Sequence, residues 1–73
     1  MRTLKITLGD DNNSNYKRDV EIEVSGTMYL ILQDKMSVCS WEEYNEAWDD
    51  MCDMIDRKYR DLPREWFIDK IEF

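Results

Sequence analysis

Seven carboxylates between Glu42 and Asp56 are the densest group of chemically active side chains in the sequence, and no lysine or arginine lies among them. They are Glu42, Glu43, Glu46, Asp49, Asp50, Asp53 and Asp56. The chain has 17 acidic and 10 basic residues, a net charge of −7, so the rest of the chain sums to zero. The whole net charge therefore belongs to this one segment. A field of one sign favours and steers a partner of the opposite charge.

The composition argues against catalysis. The chain has no histidine, the commonest general base and the commonest ligand for transition metals. Without histidine there is no Ser/His or Cys/His pair, and two glycines are too few for a phosphate-cradling loop. Carboxylates on an exposed helix face have no apolar wall to separate their pKa values into an acid and a base. We expect no catalytic residue, no metal site and no cofactor.

The segment from residue 10 to residue 21 has part of the spacing of a calcium-binding loop. Four oxygen-bearing side chains occupy its first, third, fifth and twelfth positions, namely Asp10, Asn12, Ser14 and Glu21. The sixth position, where such a loop needs glycine, is Asn15, and Lys17 and Arg18 add two positive charges. Strands are expected on both sides of it, where the calcium motif has helices. We interpret the segment as a hairpin connection.

The carboxylates are positioned by a predicted amphipathic helix from Ser40 to Leu62. Ser40 and Glu43 have the spacing of a capping box, which satisfies two orphan N–H groups at the start of a helix. Pro63 ends the pattern, because the residue before a proline avoids helical geometry. Apolar side chains recur every three or four residues on the face opposite the acids. They are Trp41, Tyr44, Trp48, Met51, Ile55, Tyr59 and Leu62.

The crowded acids weaken such a helix. Seven like-charge pairs at helical spacing, at about 0.2–0.5 kcal/mol each, oppose it by about 1.5–3.5 kcal/mol at low salt. The only expected relief comes from Arg57 and Arg60, four residues after Asp53 and Asp56. A domain with about 5 kcal/mol of stability is not expected to keep this repulsion without a use. The competing interpretation is a solvated face that keeps the protein soluble.

The first half of the chain reads as a hairpin. Residues 3 to 8 alternate, with Leu4, Ile6 and Leu8 on one face. The alternation resumes with Val20, Ile22 and Val24 after a segment (GDDNNSN) that predicts a long, loose loop from residue 9 to residue 15. The next run, MYLILQDKM, fits either a third strand or a short helix capped by Ser25 or Thr27. We favour the helix.

The last segment, residues 66 to 73, reads as a strand. Strict alternation puts Phe67, Asp69, Ile71 and Phe73 on one face, and Ile68, Lys70 and Glu72 on the other. The chain is then predicted to be one α+β domain over residues 1–73. It has a small three-stranded, mostly antiparallel sheet, with the long acidic helix and one short helix packed on one face.

Cytoplasm is the expected compartment. No apolar run reaches the roughly 18 residues of a membrane span, and the amino terminus lacks the apolar core of a signal peptide. Cys39 and Cys52 would lie about 20 Å apart along the predicted helix, because each residue advances it by about 1.5 Å. A disulfide needs α-carbons within about 7 Å. We expect two free thiols.

The expected partner is a basic protein. A net charge of −7 repels phosphate, so direct nucleic-acid binding is disfavoured. Seven carboxylates over about 21 Å of helix give about one charge per 3 Å. One strand of a duplex carries a phosphate every 3.4 Å or so. The acids therefore mimic the charge of a nucleic acid. The expected partner-binding residues are Glu42, Glu46, Asp49, Asp50, Asp53, Asp56 and Trp41.

The run WEEYNEAWDDM, from Trp41 to Met51, resembles the inhibitory helix of barstar-type ribonuclease inhibitors, a family of immunity proteins. The resemblance places Glu46, Ala47 and Asp50 on that family's acid-Ala…acid core. It implies that Glu46 and Asp50 plug a basic nuclease active site. Small acidic phage proteins that block defence complexes, including anti-CRISPR proteins, are similar in size and charge. Both comparisons imply occlusion of a cationic nucleic-acid site.

A second class of function is a non-catalytic assembly subunit whose acidic face only solubilises it. Its contact surface would be apolar, formed by Trp41, Trp66 or the methionine-rich helix edge. Ionic strength separates the two classes, because an acidic contact weakens steeply with salt and an apolar contact does not. The sequence is compatible with a monomer or a dimer.

Overall fold

The computed structural model describes residues 1–34 and 40–73. It contains three strands and two helices, in the order β1 (Arg2–Asp10), β2 (Asn13–Val24), α1 (Gly26–Asp34), α2 (Trp41–Lys58) and β3 (Trp66–Glu72). The predicted small α+β domain, with an antiparallel three-stranded sheet, is therefore confirmed.

The sheet has the order β2-β1-β3, and both strand pairs are antiparallel. Ile6 on the central strand lies opposite Val20 on one side and Ile71 on the other. Leu4, Leu8, Ile22 and Val24 are buried on the same face, as their alternation predicts. Met51 and Ile55 of α2 and Leu32 of α1 are buried in the same core cluster.

The connection between β1 and β2 is a tight turn. Asp10 pairs with Asn13, so only Asp11 and Asn12 lie between the strands. The Asp10 carboxylate accepts a hydrogen bond from the Asn12 N–H at 3.0 Å, and the Asp11 N–H donates to the Glu65 carbonyl at 3.1 Å. The predicted long, loose loop is wrong, because one local bond and one bond to Glu65 stabilise a two-residue hairpin connection.

Strand β3 contains a bulge that the alternation does not reveal. Thr7 pairs with Lys70 and Leu8 with Ile68, so Asp69 is an extra residue on β3. The bulge puts Ile68 and Ile71 on the core face, while Phe67 is 39% exposed. The predicted grouping of Phe67 with Ile71, and of Ile68 with the polar residues, is therefore wrong.

The ambiguous run after β2 is helical over Gly26–Asp34. Ser25 caps it, since its hydroxyl accepts from the Met28 N–H at 3.1 Å. The last two residues of the run, Lys35 and Met36, lie outside the described residues. The same holds for Cys39, so the expected separation of the two thiols is not tested.

Helix α2 begins as predicted and ends earlier. The Ser40 hydroxyl accepts from the Glu43 N–H at 3.3 Å and lies 3.4 Å from the Glu43 carboxylate. The helix ends at Lys58, because Tyr59 turns to extended geometry (φ −114°, ψ 90°). The predicted end at Leu62 is wrong, and the expected helical pair between Asp56 and Arg60 falls beyond the helix. In the described part of the chain, no helix is long and apolar enough to cross a membrane.

Candidate protein-binding face on α2

All seven carboxylates of the segment are exposed on α2, and we call them the acidic face: Glu42, Glu43, Glu46, Asp49, Asp50, Asp53 and Asp56. The core side of the helix is marked by buried Ala47, Met51 and Ile55. At about 100° per residue, the acids cover about two-fifths of the circumference, from Glu43 at the border with α1 to Asp56. The 18-residue helix thus separates an apolar side from a charged one.

The charge on this face is largely uncompensated by neighbouring side chains. Among the described residues, Asp53 is the one acid of the seven that forms an ion pair, with Arg57 at 3.1 Å. This contact confirms the pair expected from the spacing. The Glu43 carboxylate has a neutral neighbour, the Ser40 hydroxyl. The acidic face can therefore meet a cation without first breaking an ion pair within the described part of the protein, except at Asp53.

Trp41 lies on a different flank of α2 from Glu46 and Asp50. Its ring stacks on Tyr44 with a centroid distance of 5.9 Å, and Tyr44 lies 6.3 Å from Trp48. We call these three rings the aromatic flank. Trp41 is 59% exposed, whereas Trp48 packs against the core. The structure thus places the expected partner-binding residues on two neighbouring surfaces of one helix.

A groove of about 270 Å³ runs between α1 and α2. Its apolar lining consists of Met28 and Ile31 from α1 and Ala47 from α2. Three members of the acidic face, Glu43, Glu46 and Asp50, line it as well, with Ser25 and Thr27 at the start of α1. In this groove the acidic face borders apolar surface contributed by another helix.

A larger depression of about 680 Å³ is lined by residues of all three strands and by the end of α2, and several of its polar groups already bond to one another. The Thr7 hydroxyl donates to the Asp19 carboxylate at 3.0 Å. Lys58 Nζ donates to the Glu21 carbonyl at 2.8 Å. Its lining mixes lysines with acids. We therefore place the candidate site on α2.

The calcium-loop spacing does not produce a site. Asp10 pairs with Asn13 at the hairpin, whereas Glu21 pairs with Lys5 eight residues further along β2. At about 3.3 Å per residue, this places Glu21 about 26 Å from the turn. One ion cannot contact both ends. Within the described residues, no group of three or more histidine, cysteine or acidic side chains is arranged to hold a metal.

Three groups in α2 or close to its end have a shifted pKa. Partial burial, and secondarily the Asp49 charge, raises the pKa of the Cys52 thiol. Beyond the helix, the bond to Arg18 lowers the pKa of the Asp61 carboxyl, and the same contact raises the pKa of Arg18. The two side chains form an ion pair at 2.8 Å. This pair ties the segment after α2 to β2, away from the acidic face.

No family model matches the chain, and no curated protein or solved structure is similar to it. The site is therefore described from its own residues. Sequence reasoning found the acids through their spacing but did not assign a binding role to Glu43 or to the α1 side chains Met28 and Ile31. Glu43 is predicted as one of the seven acids and as a capping residue, but it is not among the expected partner-binding residues. The apolar residues of α1 could be recognised in the sequence. That they face α2 across a groove depends on tertiary packing, which the sequence pattern does not show.

Proposed function

We propose that this protein inhibits a nucleic-acid-binding protein by placing the acidic face of α2 in its basic site. The target is a nuclease or a defence complex, and the acids act as a mimic of nucleic-acid charge. The observation that carries the proposal is the uncompensated charge: seven exposed acids on one helix, with Asp53 alone ion-paired among the described residues. Such a surface gains from a cationic partner without losing ion pairs of its own.

The length of α2 suits this role. Its 18 residues span about 27 Å, and the acids occupy about 21 Å of that length. A rigid helix holds the charges at fixed spacing, so less entropy is lost on binding than with a flexible acidic tail. The resulting density, about one charge per 3 Å, is close to that of a nucleic-acid strand. The helix and the nucleic acid would compete for the same groove.

The test measures competition. Purified ribonucleases and CRISPR effector complexes are mixed with a labelled nucleic acid, and its displacement is followed by fluorescence polarisation. A variant with Glu46→Gln, Asp49→Asn, Asp50→Asn and Asp53→Asn is compared with wild type. We expect its affinity for an inhibited target to fall at least about tenfold, because steering and contact both depend on these carboxylates. Inhibition should also weaken steeply as salt rises.

A matched control removes four charges elsewhere. Asp11→Asn, Glu21→Gln, Glu23→Gln and Glu65→Gln alter exposed acids outside α2 and give the same net charge as the first variant. The control should inhibit nearly as well as wild type. If both variants lose affinity equally, net charge rather than the acidic face is responsible. If neither loses affinity, the acidic face only solubilises the protein.

A second candidate function rests on the aromatic flank. Trp41 is 59% exposed, although a large aromatic ring gains free energy when it is buried. In an assembly subunit, this ring would be the contact. Trp41→Ala would then abolish partner binding at high and low salt alike, while the four charge substitutions would leave it intact. The two proposals therefore give opposite results with the same partner.

A further inference from the structure

We propose that the groove between α1 and α2 seats one arginine side chain of the partner protein. This inference rests on the proposed function, because it supposes a basic partner. It adds a specific contact to a face that would otherwise act through charge alone. It also brings α1 into the binding site.

The apolar part of the groove fits the stem of a long side chain. Met28, Ile31 and Ala47 line it, and Met28 and Ile31 remain partly exposed while packing against the core. The three methylene groups of arginine can lie along apolar surface while the charged head stays at the rim. A short cationic side chain could not make both contacts. The groove therefore favours a side chain that is long as well as positively charged.

The acidic rim fits a guanidinium group. Glu43, Glu46 and Asp50 follow at intervals of three and four residues, so their carboxylates lie on neighbouring turns of one helix flank. Arginine has five N–H donors in a planar fork and can bond to more than one carboxylate. It is also more weakly hydrated than lysine, so it loses less on lying over an apolar floor. Both features favour arginine over lysine.

The rim also opposes the other occupants that an apolar groove could take. An acidic segment would be repelled, and a purely apolar segment would leave the carboxylates partly dehydrated without a counter-charge. None of the three rim acids forms an ion pair among the described residues. The described lining of the groove therefore has no positive charge opposite its rim acids, and an arginine side chain supplies one.

The test uses peptides, so it does not require the natural partner. Wild-type protein with isotope-labelled methyl groups is titrated with acetyl-Gly-Arg-Gly-amide and followed by NMR. A second peptide replaces arginine by 2-amino-3-guanidinopropionic acid, which keeps the guanidinium and has a stem two methylenes shorter. We expect shifts and peptide NOEs at the Met28, Ile31 and Ala47 methyls with the arginine peptide. It should bind about fivefold more tightly than its analogue.

Two outcomes would overturn the inference. One is equal binding of both guanidinium peptides, and the other is perturbation of α2 amides with no effect on the groove methyls. A lysine peptide that binds as tightly as the arginine peptide would overturn the choice of arginine. Met28→Gln should weaken arginine binding, while Leu30→Gln should not, because Leu30 is 48% exposed on α1 and does not line the groove.

The same variants separate this inference from the proposed function. Met28→Gln keeps every carboxylate, so charge-based inhibition of a nuclease or effector complex should persist with reduced affinity. If the four charge substitutions weaken inhibition and Met28→Gln has no effect, the groove contact is wrong and the acidic inhibitor stands. If the arginine peptide binds in the groove but no nuclease or effector complex is inhibited, the groove contact stands and the proposed inhibitory function is wrong.

Discussion

The Tyr59 hydroxyl makes two hydrogen bonds with the backbone of Glu21, accepting from its N–H at 3.0 Å and donating to its carbonyl at 3.1 Å. Glu21 lies on β2, an edge strand of the sheet, and among the described residues no other strand pairs with its outer backbone groups. Lys58 donates to the same carbonyl. The end of α2 thus covers part of an edge that could otherwise pair with another chain.

Replacing Tyr59 by phenylalanine should lower the free energy of unfolding by about 1 kcal/mol. Both hydroxyl bonds are lost, but the edge is accessible to water and Lys58 still contacts the carbonyl, so the loss stays near that of a typical hydrogen bond. Urea denaturation measures it. Tyr44→Phe, a matched hydroxyl deletion on the aromatic flank, should change stability by less than about 0.5 kcal/mol. An equal loss in both variants would contradict the role of Tyr59.

The Phe67 ring lies on Gly9. A β-carbon at Gly9 would be 2.6 Å from the tip of that ring. Since Phe67 is 39% exposed, the ring can move aside, and Gly9→Ala should destabilise the protein by only about 1 kcal/mol. In a Phe67→Ala background the same substitution should cost almost nothing. A double-mutant cycle measured by urea denaturation tests this, and additive effects would show that the contact is not the cause.

Much of the fold could be predicted because local patterns and tertiary contacts agree. The alternation of β1 and β2 specifies which side chains are buried, and Leu4, Ile6 and Val24 are less than 2% exposed. The apolar spacing of α2 likewise specifies a single buried face. One-sided burial gives a sequence a clear period, and β1, β2 and α2 have it, whereas the run that forms α1 fits a strand as well as a helix.

Two of the errors fall where non-local contacts decide. The bulge at Asp69 changes the period of β3 partway along, and Lys17 of β2 contacts Asp69 at 2.8 Å across the sheet. The early end of α2 depends on Tyr59 reaching Glu21, 38 positions away. No window of neighbouring residues contains either contact. The acidic face could be predicted from the spacing of acids in one helix, whereas the groove depends on how two helices pack against each other.

The Cys52 thiol should react slowly. Burial, and secondarily the Asp49 charge, raises its pKa, so less of the reactive thiolate is present at a given pH than in an unfolded chain. Alkylation by iodoacetamide at pH 8, followed at the Cys52 peptide by mass spectrometry, should be slower in native than in denatured protein. Asp49→Asn should speed the reaction of the native protein slightly, because it removes the smaller of the two causes that raise the pKa of Cys52. Equal native and denatured rates would contradict the shift.

The variant that neutralises Glu46, Asp49, Asp50 and Asp53 should be at least as stable as wild type. It removes all seven like-charge pairs at helical spacing, because each pair contains one of these four acids, and it keeps the first-turn acids Glu42 and Glu43, which favour the helix dipole. The expected gain at low salt is about 1.5–3.5 kcal/mol.

The ion pair between Asp53 and Arg57 is lost in this variant, which takes back a few tenths of a kcal/mol or so. Urea denaturation at low and high salt tests the cause, since screening should shrink the gain. The control variant with four acids changed outside α2 keeps all the like-charge pairs of the helix and should therefore gain less. If the variant that neutralises the four helix acids is less stable than wild type at low salt, the acids stabilise α2. Their presence in the sequence would then need no partner to explain it.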